Sequence, residues 1–598
     1  MSPMPRRLFL CLAMVLLSHC ASKHQPVVFE PYFPSSPEGD FSPEYLEESH
    51  RLEAKTQLSA FEQKRLWDLY AQELRTLKPG CSRSLTLSET MQKLLPEVAP
   101  LQKEAAELRD EVRQYKDIQP PGPAPTKLTL ENPVLKKRYS EIYHLWNRDQ
   151  NETAFAKLGE LMQSSEFKQA NSRERFKITY LAFRIDLDVG DVAASEAAYR
   201  QLQELDRCGE ITAQSGLLVA IEAMTRGDGK RALEIFKAQC DNDDSPVHRI
   251  QLEYWEARFT ESAGRNAVPL YAKAASSHLP SYYVYLAKRH QADQVTLLPV
   301  APPGRLYLSQ ELLLPGEVHR LLNSAELRLQ ANLRKDSDLY LRKAAQTLKG
   351  DLRPQNLLPL LYIAHLYQAA GDHLEAMKLY ALVTTTFEET PLLAQIDNPE
   401  FLTEMFPRPF SPTVEWLAHE WKLDPDFTYA IMRQESAFNP GAISVAHARG
   451  LMQLLPSVAK SLSRQWGYQT FYSDRMLFHA SENLKLASFF LYRLEALAPH
   501  LILKAAAYNA GINRVNGWWK KFGTLPMDAF VEFIPASETR NYVKLVLRNF
   551  IYYKALRNGG TVDSTLVPLI LPPFPGGATK VSTLKSHPSK IPQSGFNS

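Results

Sequence analysis

The chain has 598 residues, too many for a single hydrophobic core, so its length predicts several domains. It carries 69 Lys and Arg residues against 66 Asp and Glu, a formal net charge of +3, and 44% of its residues are hydrophobic. This composition excludes wholesale disorder, collagen-like repeats and a strongly basic nucleic-acid-binding protein, so no nucleic-acid partner is expected.

The N-terminus has the pattern of a secretory signal. Residues 1–20 pass from Arg6 and Arg7 into the apolar stretch Leu8–Leu17, which is about half as long as the ~20 residues of a membrane-spanning helix. Residues 17–20 (LSHC) resemble the lipobox of bacterial lipoproteins, although His19 stands where a small residue is usual. Export to the periplasm is therefore expected, with two outcomes open: lipidation of Cys20 and attachment to the outer membrane, or ordinary cleavage near residue 21.

Cysteine usage agrees with export. Of five cysteines, Cys81, Cys208 and Cys240 would belong to the mature chain if Cys20 is lipidated or removed. An oxidising compartment permits a disulfide, and Cys208–Cys240 is the pair that we expect, the alternative being unpaired thiols. No cysteine spacing resembles a zinc site, and we expect neither a metal nor a cofactor.

The middle of the chain predicts helix after helix. A Pro-rich linker at 21–43 precedes a helical segment at 44–116, and after a second Pro-rich break a helical array extends over 134–397. Residues 366–380 (LYQAAGDHLEAMKLY) resemble the helix-turn-helix of tetratricopeptide repeats, with Gly371 at the turn. Because the spacing is irregular, we predict a degenerate α-solenoid that acts as a scaffold without a site of its own.

The segment 405–558 differs in composition from the helical array because it is dense in aromatic residues. The residues after it, 559–598, lack helical periodicity and are predicted to form a disordered tail. Within this segment Asp424 suits a helix cap and Pro425 the first helical position. Phe427, Ile431 and Glu435 then share one helix face, so a carboxyl group ends an apolar stripe. Burial there would raise the pKa of Glu435 towards the range of a general acid, whereas at a fraying helix end the residue would simply be exposed.

Four motifs follow in order: a run with ESAFNP at 435–440 and GLMQLLP at 450–456, then Asn483-Leu484, then AYNAG at 507–511, and last FVEFIP at 530–535 leading into Glu538-Thr539-Arg540 and Tyr542-Val543. Together they resemble the soluble lytic transglycosylase family, whose catalytic domain is goose-lysozyme-like. Further upstream, YWEAR at 254–258 and SYY at 281–283 resemble that family's helical superhelix. The resemblance implies an all-α fold, an α-superhelix followed by a lysozyme-like α-helical catalytic domain at 405–558.

The resemblance also implies an activity on peptidoglycan glycan strands in cell-wall turnover. A lyase of this kind cleaves the β-1,4 bond between N-acetylmuramic acid and N-acetylglucosamine without water and leaves a 1,6-anhydromuramoyl end. Glu435 would act first as acid and then as base. The matching positions that would contact sugar or orient the reacting unit are Ser444, Met452, Gln453, Tyr508, Asn509 and Glu538. Met452 has a second interpretation as an ordinary core residue, as has the pair Trp518-Trp519, which would otherwise form a sugar platform.

Two positions depart from the family pattern, because His447 stands where glycine is usual and Val458 where threonine is usual. Two other functions stay open. A hydrolytic muramidase would need a second carboxylate opposite Glu435, for which Asp474 and Glu482 are available. A non-catalytic wall-binding scaffold would need none of the four motifs intact.

Overall fold

The structure is a computed structural model that describes residues 130–148, 150–239, 245–297, 316–350, 352–386, 399–466 and 473–575. The expected signal at 1–20 with Cys20, the linker at 21–43, the segment at 44–116 and Cys240 lie outside these residues. Cys208 is disulfide-bonded. None of the described helices is both long and apolar enough to cross a membrane.

The prediction of an all-α fold is confirmed: the described residues form 23 α-helices and one two-stranded sheet. The first part is a run of antiparallel helix pairs, which we call the superhelix. Its helices before the first strand are α1 (Pro133–Asn147), α2 (Asn151–Gln163), α3 (Ser165–Lys168), α4 (Ser172–Val189), α5 (Val192–Leu205), α6 (Glu210–Thr225), α7 (Gly229–Lys237), α8 (Pro246–Ser262), α9 (Val268–Ala275) and α10 (Tyr282–Arg289). Strand β1 (Gln294–Thr296) follows, and then α11 (Gly316–Gln330), α12 (Arg334–Lys349), α13 (Leu357–Ala370) and α14 (His373–Thr386).

Local sequence explains where the superhelix turns. The turn residues Gly190, Gly227, Gly264 and Gly371 all have positive φ, a conformation that costs glycine nothing. At three of these turns an aspartate one residue after the glycine begins the next helix, and the side chains of Asp191 and Asp228 accept backbone N–H groups of the first turn. At these three turns the glycine ends one helix and the aspartate begins the next.

The remaining helices form the C-terminal domain. They are α15 (Pro399–Met405), α16 (Ser411–Trp421), α17 (Pro425–Ser436), α18 (Pro456–Trp466), α19 (Ala480–Leu497), α20 (Leu501–Ala510), α21 (Ile512–Phe522), α22 (Met527–Phe533) and α23 (Ser537–Arg557). A short 3-10 helix (Asp474–Phe478) precedes α19. One continuous cluster of buried apolar side chains extends from α4 through the C-terminal domain, so the two parts share a core.

The expectation of a disordered tail from residue 559 is wrong for residues 559–575. Strand β2 (Thr561–Asp563) pairs antiparallel with β1, and the following residues, which we call the strap (564–575), cross from the superhelix to the C-terminal domain. Arg289 donates to the carbonyl of Val567 at 2.8 Å, and the indole N–H of Trp519 donates to that of Pro572 at 2.7 Å. Side chains distant in sequence donate hydrogen bonds to the backbone carbonyl groups of the strap, so the strap is ordered without helical periodicity. Residues 576–598 lie outside the described residues.

Candidate active site

Helix α17 carries the predicted acid in its last turn. The side chain of Asp424 accepts the backbone N–H of Asp426 at 3.0 Å, and Pro425 occupies the first helical position, as the sequence predicts. Phe427 and Ile431 are buried on the face that ends in Glu435. The helix stops one residue later because Ala437 and Phe438 take positive φ.

Glu435 is only partly exposed, and its carboxyl group faces helix α23. Tyr542, itself fully buried, donates its hydroxyl to Oε1 of Glu435 at 2.6 Å. The pKa of Glu435 is raised to about 8, mainly by burial; the hydrogen bond from Tyr542 lowers this pKa, and the negative charge of Glu538 contributes to raising it. The group is therefore largely protonated at neutral pH, the state a general acid needs.

A loop of tight turns, residues 437–455, follows α17 and is hydrogen-bonded both to α17 and to α19. The Ser436 hydroxyl donates to the carbonyl of Leu451 at 2.7 Å. The buried Asn483 side chain accepts the N–H of Met452 at 2.9 Å and donates to the carbonyls of Arg449 and Leu477. Gly450 leaves no space for a side chain: a Cβ atom there would lie 1.9 Å from the Leu477 carbonyl oxygen. Asn483 thus holds the loop beside the acid.

Tyr508 lies on α20 close to the acid. Its hydroxyl donates to the carbonyl of Met452 at 2.8 Å, and burial together with the charge of Glu435 raises the pKa of this hydroxyl well above its usual value. The Met452 side chain, by contrast, is fully buried. The prediction that it lines the cleft is therefore wrong for this structure: the side chain packs in the core, and the residue contributes to the site through its backbone carbonyl.

A hydrogen bond connects Asn509 on α20 with the first turn of α23, which also carries Glu538. The Thr539 hydroxyl donates to Oδ1 of Asn509 at 2.7 Å, and both Asn509 and Glu538 are partly exposed. Glu538 couples to Glu435 by charge. Glu538 therefore lies near the acid, and Asn509 is bonded to the residue that follows Glu538.

Ser444 and Gln453 belong to the loop itself. The Ser444 hydroxyl accepts the N–H of Ala448 at 3.0 Å, and Nε2 of Gln453 donates to the carbonyls of Ala442 and Gly450. In the described part of the chain neither residue is hydrogen-bonded to Glu435. Both side chains are partly exposed, so they lie at the surface of the loop that borders the acid.

The two departures from the family pattern have different surroundings. His447 is exposed with φ of 61°, in the left-handed region that favours glycine, which accounts for the usual residue at this position. Val458 is partly buried in the first turn of α18. Neither residue contacts Glu435 through a hydrogen bond between described atoms.

Tyr542 is the site residue that sequence reasoning missed. It belongs to a recognised motif, but no role follows from its type alone. A signal was nevertheless present, because Glu538 and Tyr542 are four residues apart and must share a helix face. No group of three His, Cys, Asp or Glu side chains that could hold a metal ion occurs within the described ranges.

The candidate site is thus a partly buried glutamate with a raised pKa at the end of α17, next to helix α20, which carries Tyr508 and Asn509. Residues 414–531 match the family model described as Transglycosylase SLT domain. The match covers this one domain, about a fifth of the chain.

Curated proteins of this family resemble the chain over part of its length. It is 41% identical over 161 residues to a putative soluble lytic murein transglycosylase of Haemophilus influenzae, covering 27% of each chain. It is 34% identical over 157 residues to the soluble lytic murein transglycosylase of Escherichia coli K12, covering 26% of this chain and 24% of that protein. The matches therefore span about a quarter of these relatives.

One solved structure resembles the chain over most of its length. It is an inactive mutant of the lytic transglycosylase Slt from Pseudomonas aeruginosa, with a TM-score of 0.52 and 19% identity, covering 87% of this chain and 79% of that one. At this level of identity the likeness concerns the fold alone, which is a superhelix joined to an α-helical C-terminal domain in one chain.

Proposed function

We propose that this protein is a peptidoglycan lytic transglycosylase, with Glu435 as its single acid and base. The observation that carries the proposal is the environment of Glu435, whose pKa is raised to about 8 while its Oε1 is held by Tyr542. The named relatives are murein transglycosylases, and the Slt structure is that of an inactive mutant in which glutamine replaces one glutamate.

In the first step the protonated carboxyl of Glu435 would donate its proton to the glycosidic oxygen between N-acetylmuramic acid and N-acetylglucosamine. The bond between C1 and this oxygen breaks, and the N-acetylglucosamine leaves with a 4-hydroxyl. The 2-acetamido group of the muramoyl unit supports the positive charge that develops at C1, as in other substrate-assisted glycosidases.

In the second step the Glu435 carboxylate would remove the proton from the muramoyl 6-hydroxyl, and O6 would bond to C1. The acid is regenerated, no water is consumed, and the product is a 1,6-anhydro end. Intramolecular attack by a held hydroxyl competes well with water because the nucleophile is already in position. Tyr542 supports both roles, since its hydroxyl remains a donor to the carboxylate that forms between the steps.

We assign the sugar contacts to partly exposed polar side chains around the acid. Amides and hydroxyls suit N-acetyl and hydroxyl groups of the glycan, and an aromatic ring suits an apolar pyranose face. The residues proposed are Ser444, Gln453, Tyr508, Asn509 and Glu538. Across 401–560 there are 18 Lys and Arg residues against 12 Asp and Glu, which favours attraction to an anionic cell wall at low salt.

The hydrolytic alternative receives less support. A muramidase would need a second carboxylate poised to activate water, but Asp474 pairs with Arg449 at 3.4 Å and Glu482 with Lys485 at 2.7 Å. Glu538 is the carboxylate that couples to Glu435, and its charge favours the protonated acid.

The test is digestion of purified peptidoglycan by the mature protein and by its Glu435→Gln variant, followed by mass analysis of the released muropeptides. Anhydro ends that disappear in the variant support the proposal. Reducing ends, which are heavier by one water, would identify a hydrolase instead. Release by both proteins would remove Glu435 from the mechanism.

We further propose that the protein acts in the periplasm, attached to the outer membrane through a lipid on Cys20. The sequence 17–20 (LSHC) and the 21–43 linker support this location. Expression with radiolabelled palmitate, compared with a Cys20→Ala variant, tests it: label in the wild type alone is expected, and equal absence of label from both would exclude lipidation.

A further inference from the structure

Helix α22 buries two carboxylates against the superhelix. Asp528 and Glu532 are four residues apart, so they share one helix face, and their side chains are 2% and 0% exposed. Burying a carboxylate costs several kcal/mol unless hydrogen bonds and opposite charges compensate it, so the partners of each group matter.

The partners of Asp528 lie on one superhelix helix. Its Oδ2 accepts the hydroxyl of Tyr254 at 2.6 Å and Nε of Arg258 at 2.9 Å, both from α8. Its Oδ1 accepts the N–H of Ala529 in α22 itself. These bonds attach α22 to the superhelix, and none of them reaches helix α23.

Glu532 has partners on both sides. From the superhelix it accepts the hydroxyl of Tyr283 on α10, and side-chain amides of Gln214 on α6 and Gln251 on α8 lie at 3.5 and 3.4 Å. From the C-terminal domain it accepts Nζ of Lys544 on α23 at 2.8 Å. Glu532 is therefore a bridge between three superhelix helices and α23.

Helix α23 connects this bridge to the acid. Lys544 is two residues after Tyr542, which places their side chains on different faces of α23. One face bonds to Glu532, and the other presents Tyr542 and Glu538 to Glu435. A shift or rotation of α23 would move both faces together.

We propose that Glu532 is a positioning residue, through which Tyr283 of the superhelix holds Lys544 and so keeps Tyr542 on α23 in place against Glu435. The proposal rests on the function proposed above and assigns a second task to the superhelix besides that of a scaffold. The alternative is that Glu532, like Asp528, does no more than attach the two parts of the chain to each other.

The two tyrosines provide a matched test. Tyr283→Phe and Tyr254→Phe each remove one fully buried hydroxyl that donates to a carboxylate of α22, and each leaves that carboxylate a cation, Lys544 or Arg258. The variants should differ only in whether the carboxylate reaches α23. We would measure the pH dependence of muropeptide release and hydrogen exchange of peptides from 537–557.

The pH profile depends on the charged and titratable groups that face Glu435 and Glu532 from the helices packed against them. Tyr542 and Glu538 on α23 and Tyr508 on α20 face Glu435. Tyr282 and Tyr283 on α10, with Lys544 and Arg540 on α23, face Glu532.

Tyr283→Phe should slow release by on the order of tenfold and speed exchange in 537–557, since small displacements of positioned groups are costly. Its alkaline limb should move to higher pH, because a displaced Tyr542 no longer stabilises the Glu435 carboxylate. Tyr254→Phe should change neither. Equal effects of the two variants, or no effect of Tyr283→Phe, would overturn the proposal. The exchange measurement decides it even if the wild type releases nothing, an outcome that refutes only the proposed function.

Discussion

The hydroxyl of Tyr542 lies 2.6 Å from Oε1 of Glu435, and 107 residues of sequence separate the two. The bond joins the last turn of α17 to α23. It stabilises the carboxylate form, so the raised pKa of Glu435 reflects burial that this hydrogen bond only partly offsets.

Replacement of Tyr542 by phenylalanine should raise the pKa of Glu435 above its present value of about 8. A net hydrogen-bond contribution of ~0.5–1.5 kcal/mol corresponds to roughly half a unit to one unit. The alkaline limb of the pH–rate profile should move up by that amount, because the acid stays protonated to higher pH. Tyr553→Phe is the control, since its hydroxyl donates to the Pro407 carbonyl from the same helix. A limb that moves to lower pH would contradict the assignment.

Glu435→Gln should stabilise the fold in a pH-dependent way. The pKa of Glu435 is about 8 in the folded protein and near its usual 4.5 in the unfolded chain. Because only the folded state keeps the proton between these values, the free energy of unfolding of the wild type falls as pH rises from about 4.5 to 8 and is constant above pH 8. Glutamine has no such dependence, and each unit of difference is about 1.4 kcal/mol. The excess Tm of the variant should therefore grow between pH 4.5 and 8. Parallel melting curves across that range would show that the acid is not buried in this way.

Gly450→Ala should destabilise the loop that borders the acid by about 2 kcal/mol or more. The new Cβ would meet the Leu477 carbonyl oxygen and the Asn483 side chain, and φ is already +76°. Gly517→Ala is a matched control, because no described atom lies within 4 Å of its Cβ and it lies inside α21. The free energy of unfolding of that variant should rise by up to about 1 kcal/mol, because alanine has a higher helix propensity than glycine. Chemical denaturation of both variants measures the difference; equal stabilities would mean that the close approach at Gly450 does not exist.

The structural features that the sequence predicts correctly are those that depend on residues close together in the chain. The cap at Asp424, the stripe that ends in Glu435 and the glycine turns of the superhelix are each set within a few residues. The bond from Tyr542 depends on helices far apart in the chain, for which one sequence carries no pairing signal. The same long-range packing decides between the two interpretations of Met452, in favour of the core. The prediction for the strap was wrong for a related reason. Its backbone carbonyl groups bond to distant residues such as Arg289 and Trp519, so its sequence has no hydrophobic periodicity that would reveal an ordered segment.

Deletion of residues 559–598 should lower Tm by more than about 5 °C, whereas deletion of 576–598 should not. The longer deletion removes β2 and the strap with its buried residues Val567 and Leu571. Each such apolar side chain contributes about 1.5–3 kcal/mol on burial, and ~1 kcal/mol shifts Tm by a few degrees. Thermal unfolding of the two truncated proteins beside the full chain provides the comparison. Equal Tm values for both would show that the strap does not stabilise the junction.

The central claim, that one carboxyl group cleaves the glycan without water, is tested most directly by digesting peptidoglycan in water enriched in heavy oxygen. The account predicts muramoyl ends that carry no label and have the mass of the 1,6-anhydro form, and no release by Glu435→Gln. Muramoyl ends that carry one heavy oxygen would contradict it, because they would show that water, and not the sugar's own 6-hydroxyl, attacks C1.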